Sequence, residues 1–126
     1  MRLIATFLLM SMEVSSRNWN TKTHCPFGCS CDTNLVDCGA SRIRKRRIPK
    51  RIPKNATDLR MNENSITKLD HVCRNYGQLR NLELNSNGLT EIKDGAFEDC
   101  NDIRILRMRN NKLTEIKKET VSNLSS

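Results

Sequence analysis

Six cysteines and two histidines are the residues of this 126-residue chain best suited to metal ligation, cross-linking or proton transfer. Four of the cysteines crowd together as Cys25, Cys29, Cys31 and Cys38, spaced C-x3-C-x-C-x6-C. A structural zinc site usually draws on two separated pairs of ligands, so three cysteines within seven residues favour disulfides over zinc. Four cysteines allow three pairings, and the spacing alone does not choose between them. Cys73 and Cys100 stand apart; buried free thiols, an intramolecular bridge and an intermolecular bridge all remain open for them. His24 and His71 are too few for a multi-histidine metal site or a relay. The chain also lacks a glycine-rich phosphate loop, an H-E-x-x-H helix and a G-x-S-x-G elbow. No catalysis, metal or cofactor is expected.

The remaining chemistry is electrostatic. The formal net charge is +8, and it is unevenly distributed. Residues 17–54 carry ten Lys or Arg against Asp32 and Asp37, whereas residues 55–126 carry eleven basic and eleven acidic residues. Arg42, Arg44, Lys45, Arg46, Arg47, Lys50, Arg51 and Lys54 make eight of thirteen consecutive positions basic. Lys45-Arg46-Arg47 followed by Lys50 has the B-B-B-x-x-B form suited to sulfated glycans, because sulfates require closely spaced guanidinium and ammonium donors. Arg44-Lys45-Arg46-Arg47 also has the form of a furin-type processing site, and a solvated loop is the plainest alternative.

The compartment follows from the first residues. Met1-Arg2 precedes a stretch, Leu3 to Met12, that is apolar at eight of ten positions. Val14 and Ser16 then occupy the minus-three and minus-one positions of a cleavage site before Arg17, the pattern of a secretory signal peptide over 1–16. Such a stretch is half of the roughly 20 residues needed to cross a bilayer, and no later run could span one. The expectation is a secreted, extracellular chain without a membrane span, with 17–24 as a linker. In that compartment a basic patch meets acidic glycans and proteins rather than nucleic acid.

The elements that position these residues emerge from a repeat. With 37% hydrophobic and 4% aromatic residues, the chain has room for one core. From Ala56 onward apolar residues stack in columns at a period of 23 and then 24: Leu59, Leu82 and Leu106; Met61, Leu84 and Met108; Ile66, Leu89 and Leu113. Asn64, Asn87 and Asn111 recur between them, and Leu69/Ile92/Ile116, Cys73/Phe97/Val121, Tyr76/Cys100/Leu124 and Ala56/Leu79/Ile103 complete the set. Each turn reads L-x-L-x-x-N-x-L, which resembles the leucine-rich repeat signature. The L-x-L segment predicts a short strand with its apolar residues on one face. The asparagine is expected to satisfy backbone groups where the strand bends away, and the return path to be irregular or briefly helical.

Cys25-Pro26-Phe27-Gly28-Cys29-Ser30-Cys31, Val36-Asp37-Cys38, Ile48-Pro49 and Ile52-Pro53 resemble the N-terminal flanking module of extracellular leucine-rich repeat proteins. Slit axon-guidance proteins are closest in these features, followed by small leucine-rich proteoglycans of the decorin type. The resemblance implies an α/β repeat solenoid: a short horseshoe with a parallel sheet on its concave face and a disulfide-bonded cap at 25–55, containing the basic segment 42–54. Three repeats follow over 56–126 with no C-terminal cap. It also implies pairing of Cys25 with Cys31 and of Cys29 with Cys38. The stretch from Cys38 to Ile48 is longer and more basic than in that family, and there is no Ser-Gly site for a glycosaminoglycan chain.

The function implied is binding of a cell-surface or matrix protein through Arg60, Asn62, Glu83, Asn85, Arg107 and Arg109 on the concave face. Heparan sulfate would bind the basic cap. A structural role in the matrix, as for decorin-type proteins, is the alternative. Asn55 and Asn123 are N-x-S/T glycosylation acceptors. The uncapped last turn predicts either a longer protein or a homodimer formed through that edge.

Overall fold

A computed structural model describes residues 25–39 and 44–124; the signal-peptide and linker readings, His24 and Arg42 lie outside them. Among the described residues, seven short strands and one short helix make up the regular structure. β1 (Ser30–Asp32) and β2 (Leu35–Asp37) form an antiparallel hairpin with Cys31 opposite Val36. β3 (Asp58–Arg60), β5 (Asn81–Glu83) and β7 (Ile105–Arg107) then add in parallel, giving the sheet order β1-β2-β3-β5-β7. β4 (Lys68–Leu69) and β6 (Glu91–Ile92) pair in parallel as a second small sheet.

The parallel register repeats the sequence columns. Val36, Leu59, Leu82 and Leu106 face one another across β2, β3, β5 and β7. Because strand side chains alternate, these residues point inward while their neighbours face out. Backbone pairing continues past the strands: the Met61 N–H donates to the Glu83 carbonyl at 2.8 Å and the Leu84 N–H to that of Arg107 at 2.7 Å. Leu59, Met61, Ile66, Leu82, Leu84, Leu89 and Phe97 are fully buried. At about 1.5–3 kcal/mol for each large apolar side chain taken from water, this core is the principal source of stability.

The predicted asparagine role is realised as a ladder. Asn64 Nδ2 donates to the carbonyls of Cys38, Met61 and Asn62 at 3.0, 3.1 and 3.2 Å. Its Oδ1 accepts the Lys45 N–H at 2.7 Å. Asn87 Nδ2 reaches the carbonyls of Met61 and Asn85, and its Oδ1 accepts the Ile66 N–H. Asn111 Oδ1 accepts the N–H groups of Asn87, Gly88 and Leu89 at 3.0, 2.9 and 2.9 Å. Each amide ties its own bend to a neighbouring turn, where carbonyls and N–H groups would otherwise be buried unpaired. The residue before each rung, Glu63, Ser86 and Asn110, is left-handed with φ of 57°, 57° and 56°.

The return paths are chains of turns, with one helix, α1 (Lys118–Val121). They contain an inward column that the repeat alignment omits: Val72, Ala96 and Thr120, exposed by 4%, 0% and 5%. Val121 is half-buried beside Thr120. In the third turn Leu106, Met108 and Leu113 are half-buried and Ile116 is 46% exposed. A residue of a stacked turn is covered by the turns on both sides of it, and the described stack places none beyond turn three.

Candidate functional site

All six cysteines are cross-linked: Cys25 to Cys31, Cys29 to Cys38 and Cys73 to Cys100. Their sulfurs are therefore spent as bridges and do not serve as zinc ligands. Cys73 and Cys100 sit in different columns of neighbouring return paths, so the third bridge runs diagonally between turns one and two. Cys29–Cys38 ties the start of β1 to the end of β2, with Cys38 fully buried in the core.

The outward residues of the five-stranded sheet form one surface. Leu35, Asp58, Asn81 and Ile105 make one row across it, and Asp37, Arg60, Glu83 and Arg107 make the next. The second row alternates in sign and neutralises itself. Arg60 lies 3.9 Å from Asp37 and 3.7 Å from Glu83, and Arg107 lies 3.1 Å from Glu83. Asn62 Nδ2 donates to the other Glu83 oxygen at 2.8 Å. Glu83 is the hub of this surface, with its side chain only 16% exposed.

Asn62 and Asn85 also serve the scaffold. Asn62 Oδ1 accepts the Asn85 N–H at 2.9 Å, and Asn85 Oδ1 accepts the Arg109 N–H at 2.8 Å. Both are half-buried, leaving less of each amide for a ligand. Arg109 is exposed without an acidic partner among the described residues, and Ile105 is 40% exposed. These two residues at the turn-three end of the face combine accessible apolar area with an uncompensated charge.

The basic segment is fastened to the stack. Ile52 is buried, and Ile48, Pro49 and Pro53 are half-buried. The Ser65 N–H donates to the Lys45 carbonyl at 2.8 Å, and Asn75 Nδ2 donates to the Lys50 carbonyl at 3.3 Å. Arg44, Arg46, Arg47, Lys50, Arg51 and Lys54 are exposed. Lys45 differs: it is half-buried, and its Nζ donates to the Phe27 carbonyl at 2.5 Å. The B-B-B-x-x-B run is thus split, because its first cation faces the β1 approach.

The segment also borders a groove of about 570 Å³ that the sequence reading missed. Arg47 and Lys50 line one side, and Lys68, His71, Arg74 and Lys93 come from the return paths of turns one and two. Periodicity offered no signal for it, since charges on a return path read as a solvated face. Of the acceptor asparagines, Asn55 is exposed and its Nδ2 donates to the Thr33 carbonyl at 2.7 Å. Asn123 is exposed and its Nδ2 donates to the Phe97 carbonyl. Among the described residues no helix is long and apolar enough to cross a membrane.

Comparison with known proteins finds Leucine-rich repeat-containing protein 3B of Homo sapiens and of Mus musculus, each 26% identical over 124 residues, covering 94% of this chain and 47% of the relative. Leucine-rich repeat-containing protein 3 of Danio rerio is 26% identical over 106 residues, covering 79% of this chain and 39% of the relative. The chain spans about half the length of the 3B relatives it matches. By name these relatives are leucine-rich repeat proteins and neither Slit nor decorin proteins. The Leucine rich repeat family profile matches residues 77–126. The match covers the second and third turns, which stack on a first turn built from the same columns.

Proposed function

We propose that this chain is an extracellular protein-binding module whose partner, a cell-surface or matrix protein, docks on the exposed face of the five-stranded sheet, while heparan sulfate binds the basic segment. The observation that supports the reading best is the parallel register of β2, β3, β5 and β7, which aligns outward side chains from four strands on one surface. On that surface the Asp37–Arg60–Glu83–Arg107 row is already internally paired. Desolvating it gains a partner little, and exposed pairs of this kind contribute about 0–1 kcal/mol each. Affinity then concentrates on Ile105 and Arg109, an apolar side chain beside a free guanidinium, the residue types that commonly anchor interfaces.

The test is binding of the labelled, purified protein to intact cells before and after heparitinase. Ile105→Asp with Arg109→Glu is expected to abolish the heparitinase-resistant fraction. Arg46→Glu with Arg47→Glu is expected to abolish the sensitive fraction. Unchanged binding by the first pair, with folding verified by circular dichroism, overturns the sheet-face assignment. Binding wholly indifferent to heparitinase overturns the glycan assignment.

A further inference from the structure

The groove beside the basic segment carries a more specific assignment, which rests on the glycan reading above. We infer that a sulfated polysaccharide is held there, by a three-dimensional site joining Arg47 and Lys50 to Arg74, Lys93 and Lys68, and not by the linear run.

Three observations point to this site. The first is charge: the only carboxylate lining the groove is Asp70, and it lies 3.4 Å from His71 Nε2. Lys68 lies 3.6 Å from Glu91, whereas Arg47, Lys50, Arg74 and Lys93 have no acidic partner among the described residues. Four uncompensated cations converging from three separate stretches leave a local potential that only a polyanion neutralises. The second is preorganisation. Asn75 Nδ2 holds the Lys50 carbonyl at 3.3 Å, linking the segment to the return path between Arg74 and Tyr76. The backbones that carry the cations on the two sides are thereby tied together, so a ligand spanning them has only the side chains left to order.

The third is shape. A volume of about 570 Å³ exceeds what one inorganic anion fills, and it lies within the range of sites that hold a small organic chain segment. Ile48 and Pro49, both half-buried, supply apolar lining against which the C–H face of a sugar ring can rest. A recessed groove receives a linear chain, whereas a lipid surface would need projecting apolar residues around the same cations. Lys45, the first residue of the linear pattern, is turned to the Phe27 carbonyl and lies outside the groove lining.

The test measures affinity of the full chain for a heparin-derived octasaccharide by titration calorimetry. Arg74→Ala with Lys93→Ala is expected to weaken binding roughly tenfold, by loss of charge-assisted contacts. Arg104→Ala with Lys112→Ala, the same charge change away from the groove, is expected to shift it less than about twofold. Lys45→Met is expected to leave affinity unchanged. Equal effects of the groove pair and the control pair, with a large loss in Arg44→Ala with Arg46→Ala, would overturn the groove while leaving glycan binding by the segment intact. Losses that follow net charge alone in every variant, matched on a plain cation exchanger, would overturn both. Tighter binding to phosphatidylserine vesicles than to the octasaccharide would overturn the polysaccharide as the groove's ligand. Thermal unfolding of each variant separates these outcomes from misfolding.

Discussion

Asn64 concentrates more of the scaffold's polar bookkeeping than any other side chain of the first turn. It is 2% exposed, donates to three carbonyls and accepts the Lys45 N–H that begins the anchored part of the basic segment. Asn64→Ala takes the partner from the Cys38 and Asn62 carbonyls and the Lys45 N–H, while the Met61 carbonyl keeps Asn87 Nδ2, and a loss of about 3 kcal/mol in denaturant unfolding is expected. Asn111→Ala, half-buried and open to water, should lose about 1 kcal/mol. Equal losses would show that the rungs carry no position-dependent burden. Tyr76 offers a second handle. Burial pushes its hydroxyl up from 10.0 to about 12. The folded state holds the phenolic proton more tightly than the unfolded one, so its contribution is whole below pH 10 and is lost as pH rises from 10 toward 12. That contribution amounts to about 3 kcal/mol. Tyr76 is the sole tyrosine, so tyrosinate absorbance reports this group alone. The stability difference between the native chain and Tyr76→Phe should change across that window and be flat below it.

Among the elements, what the sequence reveals tracks how local the cause is. The L-x-L strands and their inward columns were legible because alternation and stacking follow from backbone geometry, and β3, β5 and β7 lie at the expected 23- and 24-residue offsets. The ladder asparagines were legible for the same reason. The Val72/Ala96/Thr120 column was not, because a threonine inside it hides the apolar pattern. The basic groove was not, because it joins a segment and two return paths that only tertiary packing brings together. The fate of Cys73 and Cys100 also needed the fold, since their columns differ and only the lateral approach of adjacent return paths places their Cα atoms 5.1 Å apart. That bridge spans 27 residues and clips turn one to turn two. By loop-closure entropy, Cys73→Ala with Cys100→Ala should destabilise the chain by about 3–4 kcal/mol. Chemical denaturation of the oxidised double variant checks this. A loss below about 1 kcal/mol would mean that hydrophobic stacking alone sets the spacing of the two return paths.

Over the whole molecule, stability should decline along the solenoid. A repeat contacts only its neighbours, so each turn's protection depends on what covers it from either side. Turn one is overlaid by β2 with the buried Val36 and Cys38, and turn two lies between turns one and three with Leu82, Leu84 and Leu89 fully enclosed. Turn three has Leu106, Met108 and Leu113 half-buried, and Ile105 and Ile116 are 40% and 46% exposed. The apolar area it removes from water is smaller, while the backbone entropy of ordering it is comparable, so its local opening costs least. Amide hydrogen exchange on the dilute chain should be slowest at Cys38 and Met61, whose N–H groups donate to the carbonyls of Arg60 and Glu83, and faster at Leu84, whose acceptor is Arg107 of turn three, and from Lys112 onward. The Ile105 and Arg109 anchor proposed for protein binding lies on that softer turn, so a docked partner should slow exchange there most. Uniform protection along the stack at low concentration would contradict the gradient. Protection of turn three that rises with protein concentration would instead identify a second copy of the chain as its cover.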